Sequence, residues 1–497
     1  MKRRTALGMI ALTPAAAAAM FSCAPPSAED DTTLLVGATL APPMLDPVVN
    51  DAASIPQALL YNVYETLVKL DDNGEMQPLL ASSWEISPER TSYTFHLDER
   101  ATFASDNRAV TAEDVVWSLE RTRTEGRAVL KNEMSPVDTI EATDERTVTV
   151  TLTRPSNSWL YAITSTSGFI YDSKAGVDFA SQAAGSGPYT VQSWAPGSDL
   201  VLSRRDDYWG PVPYFSEVTL RYFADANSQN SAMLSGQLDI LSSLQAPQAL
   251  PQFDDRERFA VIEGTTQGEV VMAFNNSGIL KDKRLRQAIR HAVDHQALLD
   301  TVWAGHGTLI GSMVPPTDPW YEDLTGLYPY DPTKASELVE EAGYDRSTPL
   351  RMRLPVVPYA TASGQFVASA LRDVGFQVKV EELDFARWLD QVLVSADYDL
   401  SIVSHVEPRD LVKFADPTYY WRYDNPTVQE LVAEADTGTE EEQRDKMAEA
   451  ARIISEDAAS DWLFLLPNLA VTTPDIRGIR QNATTLSFDL TTLSREA

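Results

Sequence analysis

The residues best suited to chemistry lie in Tyr398–Tyr420, YDLSIVSHVEPRDLVKFADPTYY. A strand is predicted over Tyr398–Ser404, and His405-Val406-Glu407-Pro408-Arg409-Asp410 follows it. In open α/β sheets ligands bind beyond the C-terminal ends of strands, which is where this hexapeptide falls. It supplies an imidazole, two carboxylates and a guanidinium. Glu407 or Asp410 can accept from an ammonium group, and Arg409 can pair a carboxylate through two parallel hydrogen bonds. An internal ion pair that stiffens the loop would use the same residues. Tyr419 and Tyr420, with Trp421 next to them, suit either the aromatic wall of a cleft or a packed core.

Other chemistries find less support. His291 and His295 stand at i and i+4, a spacing at which two imidazoles can share a metal, but no third ligand follows and there is no H-E-x-x-H. A solvated helix face is expected for them, so no metal site is assigned; His405 is the better placed to touch a chelate. Gly185-Ser186-Gly187-Pro188-Tyr189 lacks the lysine and spacing of a phosphate cradle and is expected to be a structural crossover. No G-x-S-x-G elbow, no P-loop and no cofactor motif is present. The expected protein is not an enzyme; a hydrolase using paired carboxylates is the alternative from that class. A formal charge of −32 excludes nucleic acid as a partner, because phosphate binding needs clustered Lys and Arg.

These groups need a scaffold, and 497 residues provide for two or more lobes. Ser92–Leu97 alternates apolar and polar side chains as a half-buried strand does. Thr111 stands where a helix cap belongs, with Glu113 and Asp114 in the first turn. Asn107, in the preceding turn, can take the left-handed conformation without a glycine. Leu59, Leu60, Val63, Tyr64 and Leu67 recur at helical spacing, and one long helix is predicted over Asp282–Trp303. From Asp331-Pro332 onward, helices and strands alternate with short connections, which predicts a largely parallel sheet.

The N-terminus reads as an export signal: Lys2-Arg3-Arg4, an apolar run over Ala6–Phe21, then Ser22 and Cys23. Cys23, the sole cysteine, excludes an internal disulfide and resembles the lipidation site of bacterial lipoproteins. A signal peptide is expected over 1–22 and a lipid-anchor tether over 23–33.

Several motifs occur in a telling order. A-x-x-W-E-x-S is followed by Y-x-F-x-L and T-A-E-D-V-V, then Gly185–Tyr189, Arg205–Gly210, L-x-G-x-x-D-I ending at Ile240, and D-x-R-x-R-Q-A-I from Asp282. Together they resemble the extracellular solute-binding proteins of ABC importers, of the large peptide/nickel-binding type. That resemblance implies an α/β, two-lobed periplasmic-binding-protein-like fold of class II, with an extra subdomain in the first lobe and a hinged cleft. Lobe I is expected over 34–68, 187–272 and 472–497, its subdomain over 69–186, and lobe II over 273–471. The implied partners are a small solute and membrane permease subunits, with the chain a monomer anchored by lipid on the outer face of the cytoplasmic membrane. Peptide is the first expectation for the solute, and a nickel chelate, oligosaccharide or siderophore-like ligand the alternatives. In peptide-binding relatives a Trp-x-x-Asp loop before an Asp-Pro binds the ligand ammonium. Asp416-Pro417 matches the Asp-Pro, but His405–Asp410 replaces the Trp-x-x-Asp.

Overall fold

The computed structural model describes residues 32–496 apart from Asp51 and Gln245. The expected signal peptide, Cys23 and the tether as far as residue 31 therefore lie outside the described residues. The first strand, Thr33–Ala38, begins one residue before the expected lobe boundary.

The alternation of Ser92–Leu97 is realised: Tyr93, Phe95 and Leu97 are buried, and their neighbours are half-buried. This strand pairs antiparallel with Ala81–Ile86 and Thr147–Leu152, and the latter with Val137–Ala142, giving a four-stranded sheet. Helix Ala112–Glu125 packs on it. The backbone amide and hydroxyl of Thr111 donate to the Asp114 carboxylate at 3.1 and 2.8 Å, and Arg108 closes a bidentate pair with the same group. Asn107 has φ +60°, so it supplies the left-handed residue of the turn.

The Gly185–Tyr189 segment is a close-packed crossover. A Cβ on Gly185 would lie 2.1 Å from the Val63 carbonyl, and one on Gly187 2.5 Å from that of Asn62. Arg205 then locks the crossover, donating to the carbonyls of Thr102, Phe103, Ser186 and Gly187.

A second sheet of ten strands runs through the whole molecule. Its order is Val378–Leu383, Leu350–Pro355, Leu400–His405, Ala260–Phe274, Ser460–Thr472, Ile240–Leu241, Thr33–Ala38, Glu217–Tyr222, Asp199–Arg204 and Tyr189–Trp194. It is mixed rather than largely parallel. In the second lobe the first three strands are parallel, but Ala260–Phe274 and Ser460–Thr472 run antiparallel to their neighbours. These two strands come from distant parts of the chain and need no helical crossover, so helix–strand alternation says nothing about them.

Both are long, and both pass from one lobe to the other. Ala260–Thr265 pairs with Pro467–Thr472, while Glu269–Ala273 pairs with Ser460–Leu465 and Glu269–Phe274 with Leu400–His405. Between the two paired regions the register shifts, and the Thr266 hydroxyl donates to the Leu466 carbonyl at 2.7 Å. This irregular stretch is where a hinge between the lobes would bend, because the ladder is interrupted there. Beyond it, Val270, Met272 and Phe274 feed one apolar core of the second lobe, and Val271 and Ala273 feed another on the opposite face.

Two helical predictions need correction. Helix Ser54–Leu59 stops short because Tyr61 has φ +66°; Leu60, Val63, Tyr64 and Leu67 are buried from a folded-back turn instead. The stretch Asp282–Trp303 is two helices, Lys283–Ala292 and His295–Trp303. Val293 is extended, and Asp294 caps the second helix by accepting from the Ala297 amide at 3.0 Å. His291 and His295 therefore do not share a helical face. The ring of His295 lies 2.9 Å from the fully buried Asp461 carboxylate, so it does not sit on the expected solvated face.

Candidate functional site

The sequence around the hinge places unusual groups on one face of the central sheet. Glu269 shares the face of Val271 and Ala273, since side chains two apart in a regular strand point the same way, and Gln267 lies in the irregular stretch just before it. Glu269 stands directly opposite His405 across the strand pair. Gln267 donates to Thr317 Oγ1 at 2.9 Å, which brings the Pro315–Trp320 loop alongside.

His405, Asp410 and Tyr420 are brought together. Nδ1–H of His405 donates to Asp410 Oδ2 at 2.8 Å, and its Nε2 lies 2.9 Å from the Tyr420 hydroxyl, from which it then accepts. The imidazole stacks on the Tyr420 ring at 6.0 Å, and Tyr420 and Trp421 are buried core residues. Burial pushes the Tyr420 phenol well above its ordinary range, so it stays a neutral donor. Tyr419 packs edge-on against Tyr420 and Trp421, at 5.1 and 4.8 Å. Glu407 is solvent-facing, 4.0 Å from the Lys413 ammonium.

Arg409 has φ +62° and reaches across the cleft. Its guanidinium lies 3.6 Å from the ring centre of Tyr161, at the end of the subdomain helix Asn157–Ala162, and 4.7 Å from that of Trp320 in lobe II. Among the described residues it has no hydrogen-bond or ion-pair partner, although Nε is buried. An arginine charge held only by aromatic faces keeps its donors available.

Asp318 and Glu269 complete the face, and sequence reasoning missed both. Asp318 is 8% exposed, and its Oδ2 has no partner; burial pushes its carboxyl up to about 6, against the pull of Arg409. Glu269 is fully buried, and neither carboxyl oxygen meets a partner on another residue. Burial raises it well above the usual carboxylate range, with Asp410 and Asp318 adding to the effect. The available signal was an acid opening the apolar run Val270–Phe274.

The lobes also meet at a latch. The Asp436 carboxylate accepts from the Ser158 amide at 2.8 Å, from Arg154 at 2.6 Å and from the Ser156 hydroxyl at 3.1 Å, while the Asn157 amide donates to the Ala435 and Gly438 carbonyls. A carboxylate from one lobe thus caps a helix start of the other. Asp436→Ala should loosen the closed form by about 1–2 kcal/mol, roughly 5- to 30-fold in the closed-to-open ratio. Small-angle scattering of the ligand-free protein should then show a larger radius of gyration. An unaltered profile would mean that the latch contributes nothing to closure.

The sequence matches the family model of bacterial extracellular solute-binding proteins, family 5, over residues 75–410, more than half of the chain. The chain belongs to that family. Among its relatives, the probable D,D-dipeptide-binding periplasmic protein of Escherichia coli is 30% identical over 475 residues, covering 87% of this chain and 88% of the relative. The substrate-binding protein CtaP of Listeria monocytogenes superposes with a TM-score of 0.82 at 22% identity, covering 93% of this chain and 99% of that one. NikA of Brucella suis, solved with Fe(III)-EDTA, gives 0.83 at 21% identity, covering 93% and 100%. The peptide-bound DppA of Helicobacter pylori gives 0.78 at 20% identity, covering 94% and 98%. These structures establish the two-lobed fold. As a family 5 solute-binding protein, the chain is the extracytoplasmic component of an ABC importer and not an enzyme. No helix among the described residues is long and apolar enough to cross a membrane.

Proposed function

We propose that the cleft between the lobes captures short peptides and hands them to the importer's permease. The observation that carries this is Arg409, a cleft guanidinium with no polar partner among the described residues. A peptide carboxylate would complete it by two parallel hydrogen bonds, while Tyr161 and Trp320 keep water from competing. The His405–Asp410–Tyr420 chain serves to hold the loop that presents Arg409, and Glu407 and Tyr419 stand at its solvent side. The peptide-binding names among the relatives favour the same class.

Lipidation at Cys23 would keep the protein on the outer face of the cytoplasmic membrane as a monomer. The expected lobe limits are kept except on the two crossing strands, where the boundary moves from 272/273 and 471/472 to a hinge at Thr266–Gly268 and Leu466. Native mass spectrometry of protein purified gently from its own cells, followed by denaturing release, tests the substrate. Release of mixed short peptides is expected; a single metal-containing or glycan species would overturn the peptide assignment while keeping the transport role.

A further inference from the structure

Glu269 and Asp318 have no evident structural purpose. A buried carboxyl normally earns its place by hydrogen bonds or an ion pair. Glu269 is fully buried, yet it meets no partner on another residue; Asp318 is more than nine-tenths buried, with Oδ2 unpartnered. The neighbouring Gln267 also leaves Oε1, an acceptor, unsatisfied, and it is 7% exposed. Four unfilled acceptor atoms, two on Glu269 and one each on Asp318 and Gln267, mark a place for a donor.

The charges point the same way. Asp410 and Asp318 both add to the rise that burial imposes on the Glu269 carboxyl. Asp410 accepts from His405 Nδ1–H, and Arg409 is the cation whose pull Asp318 feels. Arg409 lies within 4.0 Å of neither Glu269 nor Asp318, being held on the rings of Tyr161 and Trp320. Among the described residues neither of these carboxyls forms an ion pair. The aromatic lining already accepts a guanidinium, so a second cationic nitrogen suits the same surroundings.

Resting on the reading of the cleft as a ligand site, we propose that Glu269 and Asp318 form a desolvated subsite for a cationic nitrogen of the bound solute. With Arg409 taking a carboxylate, the cleft then selects solutes that carry both charges, and favours a basic group. Two sources offer that nitrogen: the amino terminus of a peptide, or a lysine or arginine side chain.

The test is calorimetry with Ala-Lys-Ala, its norleucine counterpart Ala-Nle-Ala, and N-acetyl-Ala-Lys-Ala, on the wild type and on E269Q and D318N. Thermal shift with free lysine, arginine and cadaverine accompanies it. A side-chain source predicts that both lysine peptides bind at least tenfold more tightly than Ala-Nle-Ala, and that E269Q or D318N abolishes this preference. An amino-terminal source predicts that acetylation costs at least tenfold in the wild type and nothing in the variants. Because Glu269 meets no partner on another described residue, E269Q should also leave the ligand-free melting temperature unchanged or raised; a fall would assign Glu269 to the fold and overturn the subsite. If no peptide binds but lysine, arginine or cadaverine raises the wild-type melting temperature and not that of E269Q, the peptide assignment fails and the subsite stands. Equal responses of wild type and variants to every probe, or no response at all, would overturn the subsite.

Discussion

Replacing Asp461 by alanine is expected to destabilise the second lobe by about 3–5 kcal/mol, a fall in its melting temperature on the order of 10 °C. Asp461 is fully buried on the long strand Ser460–Thr472. It lies 2.9 Å from His295 Nε2 and 3.3 Å from Nε of Arg290, itself buried between Tyr328 and Trp462. Burial opposes its charge, but His295 and Arg290 outweigh that and hold the carboxyl below the usual range. Removing it strands a buried guanidinium, and that stranded charge accounts for most of the loss. Scanning calorimetry should show the transition of the second lobe moving down while the other stays. Asp461→Asn, which keeps an acceptor without the charge, should fall between. A wild-type transition in D461A would show that Arg290 finds other partners. The pH dependence has a definite sign. A carboxyl depressed in the fold contributes its full stability above its unfolded pKa of about 3.9, and loses it as pH falls through the lower folded value. The wild type should thus lose stability below about pH 4 more steeply than D461A does.

Arg409→Ala should weaken binding of the peptide released from the native protein by about 1–3 kcal/mol, roughly 5- to 150-fold. The guanidinium is the one group on the loop that both reaches the opposite lobe and keeps its donors free. Calorimetry separates the two roles weighed for it. Lower affinity with an unchanged ligand-free melting temperature assigns Arg409 to the ligand. Unchanged affinity with a lower melting temperature assigns it to stiffening the loop. Arg409→Lys keeps the charge but not the fork, and should recover only part of the affinity.

Much of the scaffold was legible because local chemistry decides it. Asp331 caps helix Pro332–Glu341 by accepting from Lys334, Gly343 and Gly236 end helices with positive φ, and Thr111 opens its helix at Ala112. What failed depended on partners far away in the chain. Leu59 to Leu67 are buried on every side, so their spacing identified no face. The two crossing strands are apolar only at Val270–Phe274 and Leu463–Leu466; their crossing portions carry Thr265, Thr266, Gln267 and Asn468, polar residues that give no strand signal of their own. Of the site, the His405–Asp410 loop stood out as an odd mixture of charges. Tyr161 and Asp318 did not, because each acquires meaning only when a distant segment faces it. Asp436 reads as an ordinary helical acid until the Ser156–Ser158 turn arrives to use it.

The unbroken sheet through both lobes gives the importer a signal readable at a distance. Each outer strand, Val378–Leu383 at one edge and Tyr189–Trp194 at the other, lies some four or five strand spacings from the hinge, about 20 Å. The sheet therefore acts as a pair of rigid lever arms. A rotation of about 10° at Thr266–Gly268 and Leu466 moves each edge by about 3–4 Å, enough to match or mismatch a docking surface. A permease touching only the outer rims can thus sense whether the cleft is occupied, without contacting the solute.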